Sequence, residues 1–249
     1  MTTDRVYSVS EKLVISGDFV EHYQYEKNYF VGFPRLFSPT RFLRAKTTPQ
    51  ERIRADNVRR TRQKVRRLIN SNKDLLKFMT LTFDDPVIDL ASGNKLFDVF
   101  IKKMRRLYPD LKYIAVPEFQ KKSKKLHYHL LTNIKEYISN DYLADELWQN
   151  GYAWLRETYN IDNLGAYVSK YLSKEIFDER YFKKRKFLYS FNLLKPIIID
   201  KFKEVKRVLN SGFDYFYNKI FDKTIDSDFL GVIQYKQYKC IDIVNYNIF

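Results

Sequence analysis

The segment Leu126-His-Tyr-His-Leu-Leu-Thr132 constrains this chain more than any other. It follows a second short, apolar, β-rich run, Leu111–Phe119, and only the basic stretch Lys121–Lys125 lies near their junction. Two such runs with a short polar connection predict an antiparallel hairpin. Side chains alternate across a strand, so His127 and His129 share one face and Tyr128 takes the other. A turn centred on Lys122–Ser123 sets Glu118 opposite His127, with Cβ atoms about 4.5–5.5 Å apart as in such pairs. Two imidazoles and a carboxylate on one face make a candidate metal site with open coordination positions. That donor set suits Mn²⁺ or Mg²⁺ at a phosphate, and Zn²⁺, Co²⁺ or Ni²⁺ can bind it too. A closed structural zinc site wants a fourth ligand, usually Cys, and the chain has one cysteine, Cys240, far away in sequence. Read alone, the two histidines are equally compatible with half-exposed polar residues on a strand, and Glu118 with a solvated charge at a strand end.

The second feature lies about one helix and a loop further on, in Tyr167-Val-Ser-Lys-Tyr-Leu-Ser-Lys174. Residues 164–175 read as a helix on which Tyr167, Lys170, Tyr171 and Lys174 form one polar stripe. Leu164, Val168, Leu172 and Ile176 form the neighbouring apolar stripe, which should face a sheet. A tyrosine that attacks a phosphodiester becomes covalently linked to it and conserves the bond for rejoining. Lysines one turn away favour the phenolate or neutralise the phosphate. The bland alternative is two half-buried aromatics in a chain that has 20 tyrosines.

Charge points to the same class of partner. The chain carries a formal net charge of +15 over 249 residues, so an anionic partner is expected. More than half of that excess lies between Arg41 and Arg67, where eleven Lys or Arg face only Glu51 and Asp56. Thr48-Pro49-Gln50-Glu51 is a helix start, and a long helix to about Asn70 should follow. An ordinary solvated helix mixes signs. The near-absence of acids here favours a helix that tracks phosphates, through Arg59, Arg60, Arg62, Lys64, Arg66 and Arg67.

The remaining chain supplies a frame. Lys12–Ser16, a Gly17-Asp18 turn and Phe19–Phe30 read as strands, as does Phe78–Phe83. Lys95–Tyr108 is an amphipathic helix ending before Pro109. Asn140–Gln149 is a helix stopped at Gly151, and Gly151–Glu157 returns as a strand. Residues 197–249 read as a basic helix and two strands, Phe229–Tyr235 and Lys239–Val244. The order predicts an α+β fold, an antiparallel sheet covered by helices on one side. His22, Trp148 and Trp154 read as structural residues. Composition excludes disorder, with 45% hydrophobic and 17% aromatic residues. The single cysteine excludes an internal disulfide. No apolar run reaches transmembrane length and no apolar signal core is seen, so the expectation is a cytoplasmic protein with no membrane partner.

Taken together, these residues resemble the HUH endonuclease superfamily, in particular the two-tyrosine rolling-circle replication initiators of bacterial plasmids and single-stranded DNA phages. Phe78-Met-Thr-Leu-Thr-Phe83 resembles the first family motif, whose threonines, here Thr80 and Thr82, lie near bound DNA. His127-Tyr128-His129 resembles the histidine motif, and Tyr167 to Lys174 the doubled tyrosine motif. The similarity runs from about Asn57 to Pro196. It implies an RRM-like or ferredoxin-like antiparallel sheet with helices packed on it. It also implies a divalent-metal-dependent nickase and strand transferase acting on single-stranded DNA at a replication origin, with host helicase and polymerase as further partners. Metal ligands are then His127, His129 and, by its position, Glu118. Tyr167 and Tyr171 are the nucleophiles, with Lys170 and Lys174 beside them, and Lys124 and Lys125 join the DNA-binding set. Both tyrosines satisfy a Tyr-x-x-Lys pattern, so a single-tyrosine enzyme with a bystander stays open. The expected organisation is an N-terminal strand extension (1–40), a core (41–196) and a C-terminal helix and strands (197–249) packed on the same domain. Two rivals remain: a non-catalytic nucleic-acid-binding protein on an RRM-like sheet, and a transposase or relaxase of the same superfamily.

Overall fold

The computed structural model describes residues 6–32, 50–85, 89–120, 125–158, 164–169 and 184–241. Its strands are β1 (Tyr7–Ser16), β2 (Phe19–Val31), β3 (Lys77–Thr82), β4 (Tyr113–Phe119), β5 (Leu126–Thr132), β6 (Ala153–Glu157), β7 (Leu188–Tyr189), β8 (Ile197–Ile199), β9 (Tyr217–Ser227) and β10 (Gly231–Cys240). Its helices are α1 (Gln50–Asn70), α2 (Leu90–Leu107), α3 (Asn140–Tyr142, continuing as a π turn over Leu143–Trp148), α4 (Leu164–Ser169), α5 (Phe202–Asn210) and α6 (Phe213–Phe216). The fold is α+β, with two antiparallel sheets and a few helices. The chain divides into two compact units, residues 49–195 and the two flanking segments together.

The central unit is built on the sheet β6-β3-β5-β4-β7. Alternation divides it into two apolar faces. Phe78, Ile114, Val116 and Leu131 point to one side, where Val65, Leu68 and Ile69 of α1 and Val168 of α4 cover them. Met79, Leu81, Ala115, Tyr128 and Leu130 point to the other, against Phe97, Phe100 and Met104 of α2 and Leu143, Leu147 and Trp148 of α3. Helices therefore cover both sides, where the sequence predicts one. The reason lies in β4 and β5, which are apolar on both faces and must bury both. Gly165 lets α4 lie directly on α1, because a Cβ there would stand 2.6 Å from Asn70 Oδ1 and 3.0 Å from Arg66 O.

Two helices differ from their sequence readings. α2 begins at Leu90 rather than Lys95, because the Asp89 carboxylate accepts from Ala91 N (2.7 Å) and Ser92 N (2.9 Å) and caps it. α3 widens after one α-helical turn, with Gln149 N bonded to Ala144 O at 2.8 Å, the i→i+5 pattern. The wider turn accompanies Trp148, whose Nε1 donates to Thr82 O at 3.0 Å under the end of β3.

The flanking segments, read separately in the sequence, pair with each other in the sheet β8-β1-β2-β10-β9. Leu13 and Val20 face Val205 of α5 and Phe213 of α6 in a small core. The C-terminal strands lie earlier than the sequence predicts. Phe229 sits in the turn between β9 and β10, where Ser227 Oγ accepts from Phe229 N (3.4 Å) and Leu230 N (3.2 Å). β9 is an exposed edge strand, and its lack of apolar alternation hid it. His22 is structural, buried with Nε2 3.4 Å from Glu11 Oε2.

Candidate functional site

The ladder between β4 and β5 pairs Glu118 with His127, the register the hairpin argument requires. Across β3, Thr82 pairs with His127 and Thr80 with His129. All five side chains project from the same face, so the site is assembled by strand alternation alone. They line an open cleft of about 680 Å³, together with Gln120, Tyr152 and Trp154. Below the cleft, Phe78 stacks on His129 at 5.7 Å between ring centres and fixes its plane.

Hydrogen bonds orient both imidazoles. Thr82 Oγ1 lies 3.0 Å from His127 Nδ1, and Thr80 Oγ1 lies 3.3 Å from His129 Nδ1. Both threonines, expected beside DNA, thus engage the histidines. The Glu118 carboxylate reaches diagonally past its ladder partner to His129 Nε2, at 2.7 Å. His127 Nε2 is buried and has no hydrogen-bond partner. Burial, and then the neighbouring charge of His129, hold the His127 imidazole below its usual pKa, so it stays neutral with a lone pair to offer.

This donor set fits a divalent cation. A buried ring nitrogen without a partner is costly unless something binds it. The hydroxyl at the opposite ring atom is the outer support that metal-binding histidines use. Glu118 and His129 Nε2 already share a short polar contact into which a cation can exchange for a proton. Among the described residues, no three His, Cys, Asp or Glu side chains are already closed around one point.

Tyr167 sits on the same side of the sheet. Its ring lies 6.0 Å from that of Phe78, and its hydroxyl accepts from Arg156 Nη2. The Arg156 guanidinium spans the rings of Phe78 (4.9 Å), Tyr167 (5.6 Å) and Trp154 (5.7 Å). Phe78 is therefore shared by His129 and Tyr167, which joins the tyrosine to the imidazole cluster. Lys170, Tyr171, Lys174 and Lys124 lie outside the described residues. Lys125 Nζ donates to Asp84 O at 2.6 Å at the hairpin's basic end. Along α1, Val58, Val65, Leu68 and Ile69 are buried while Arg59, Arg60, Arg62 and Lys64 are exposed, with Arg66 and Arg67 between. Lys64 Nζ stands over the rings of Tyr189 (5.1 Å) and Phe187 (5.5 Å).

Residues 76–176 match the model of a Replication-associated protein family, the ORF2 type. The match begins just before β3 and takes in both histidines, Glu118 and Tyr167, and it supports a replication-initiator role and binding to DNA. No curated protein and no solved structure matches the chain. None of the described helices is long and apolar enough to cross a membrane.

Sequence reasoning missed two residues of the replication-protein segment that face the site. Trp154, read as core, is 43% exposed in the cleft, whereas Trp148 is 1% exposed and is core. Arg156 gave no signal, since its place between Trp154 and Tyr167 follows only from the pairing of β6 with β3.

Proposed function

We propose that this chain is a rolling-circle replication initiator that nicks single-stranded DNA at an origin through a tyrosine and rejoins the strands afterwards. The observation that carries the proposal is the buried, partnerless His127 Nε2 beside the His129–Glu118 pair, in one cleft with Thr80 and Thr82. His127, His129 and Glu118 would hold Mn²⁺ or Mg²⁺, which supplies Lewis-acid stabilisation of charge developing on the phosphoryl oxygens.

The chain's own residues do the rest. A tyrosine Oη forms the new bond to phosphorus while the bond to the 3′ oxygen breaks. The phenol gives up a proton and the departing 3′-hydroxyl gains one, leaving a 5′-phosphotyrosine. Arg156 holds the Tyr167 oxygen in place and favours its negative charge. Lys170 and Lys174 act on the phosphate from the same motif. The exposed arginines of α1 and Lys125, with Lys124, bind the flanking backbone by releasing counterions. Tyr167 and Tyr171 alternate, one nicking and the other resolving the circle after synthesis. Host helicase and polymerase are the partners this activity calls for.

The test is covalent capture. Purified protein is mixed with labelled single-stranded DNA, the replicon's own strand, in Mn²⁺ or EDTA, then run on a denaturing protein gel. The expected result is a labelled adduct in Mn²⁺ only, absent in His129→Ala and in the Tyr167→Phe/Tyr171→Phe double variant. Tight binding of DNA and Mn²⁺ with no adduct would overturn strand cleavage in favour of a non-catalytic binding protein. Full nicking and full termination in either single tyrosine variant would remove that tyrosine from the alternation.

A further inference from the structure

Two large aromatic side chains stand in the cleft with much of their surface in water. Tyr152 is 59% and Trp154 43% exposed, and both line the space in front of the histidines. Neither is held there by chance. Trp154 pairs across the ladder with Thr80, the residue whose hydroxyl contacts His129 Nδ1. Thr82 N donates to Tyr152 O at 2.8 Å, which ties the backbone of Tyr152 to the end of β3. Gly151, at φ +135°, permits that approach, since a Cβ there would stand 2.5 Å from Asp84 N. Arg156 adds a cation 5.7 Å from the Trp154 ring centre. β6 is an edge of its sheet, so among the described residues no further strand closes this side of the cleft.

We propose that Tyr152 and Trp154 form a stacking subsite that holds one unpaired nucleobase beside the phosphate bound at the histidine cluster. The proposal rests on the strand-cleavage reading for the location of that phosphate. Exposed aromatic faces next to a cation match a flat ring attached to an anionic backbone. Stacking accepts any base but needs a free π-face, which a base inside a duplex does not offer. The subsite therefore selects single-stranded DNA by its unstacked base, and the backbone contacts of α1 do not make that distinction.

The experiment uses tryptophan fluorescence of the whole chain in EDTA, titrated with a 20-nucleotide thymidine strand and with an abasic strand of the same length. Trp148 is buried, so an accessible change reports Trp154. The thymidine strand should alter the emission and bind about tenfold more tightly than the abasic one. Followed by anisotropy of labelled strands, that preference should vanish in Trp154→Ala, weaken in Tyr152→Ala and persist in part in Trp154→Phe. The thymidine–adenosine duplex should leave the emission unchanged. An equal preference for thymidine in wild type and Trp154→Ala, with Trp154→Phe folded and unchanged, overturns the subsite. If the preference follows Trp154 but no Mn²⁺-dependent adduct forms with the replicon strand, the stacking subsite stands and the cleavage reading falls.

Discussion

The Glu118 carboxylate bonds to His129 Nε2 at 2.7 Å, although its partner across the ladder is His127. The diagonal contact leaves His127 Nε2 without a partner and makes the two histidines unequal. One is buffered by a carboxylate and the other waits. Glu118→Gln should therefore weaken Mn²⁺ binding by at least tenfold, and Thr82→Val, which frees the His127 ring, by about 10–100-fold. Isothermal titration calorimetry of both variants checks this; unchanged affinity in Glu118→Gln removes it as a ligand.

Arg156 links Tyr167 to the cleft. Replacing it with Met keeps most of its apolar stem but removes the donor to the Tyr167 hydroxyl. A charge-assisted hydrogen bond of about 1.5–3 kcal/mol corresponds to a loss of roughly tenfold or more in the rate of adduct formation through Tyr167. In a Tyr167→Phe background the same replacement should have no further effect on that step. Quenched-flow measurement of both arms decides it.

Burial holds His22 below its usual value of 6.5. For Glu11, burial pushes the carboxyl up, but the hydrogen bond and charge of Lys206 outweigh it, with His22 assisting, and the net direction is down from 4.5. Both folded values are lower than the unfolded ones, so the unfolded chain binds more protons on acidification and stability falls with pH. The His22 contribution is complete above about pH 6.5 and declines below it, and that of Glu11 declines below about pH 4.5. Urea midpoints measured from pH 7.5 to 4 should fall across this range. His22→Gln should flatten the upper part of the curve and leave the part below pH 4.5.

Gly151→Ala should cost about 1–3 kcal/mol from backbone strain alone, with an added clash against Asp84 N and Thr82 O. Thermal unfolding gives the size of the loss. Because the same residue seats Tyr152, thymidine-strand binding should weaken beyond what Tyr152→Ala alone produces.

Much of the site was legible because it depends on local rules. Strand alternation places His127 and His129 together, and counting back through the turn finds Glu118. The basic side of α1 follows from Val58, Val65, Leu68 and Ile69 on one stripe with arginines elsewhere. Trp154 and Arg156 were not legible. On an edge strand, residue type does not tell which face meets a helix and which meets a cleft. The second helical layer was hidden for a related reason: continuous apolar runs such as Tyr113–Val116 say that both faces are buried, not by what. The π turn at Leu143–Trp148 depends on where Trp148 finds Thr82 O, a contact 66 residues away in sequence.

The two sheets differ in how the ribosome delivers them. The strands and helices around the histidine cleft come from one continuous stretch, 49–195. The other sheet joins β2 to β10, pairing Tyr23 with Tyr235 and Val20 with Tyr238. The cleft-bearing unit can condense while synthesis continues, whereas β1 and β2 must wait as an unfinished hairpin until the last strand emerges. Nascent initiator would thus hold its DNA-cutting chemistry before its outer sheet exists.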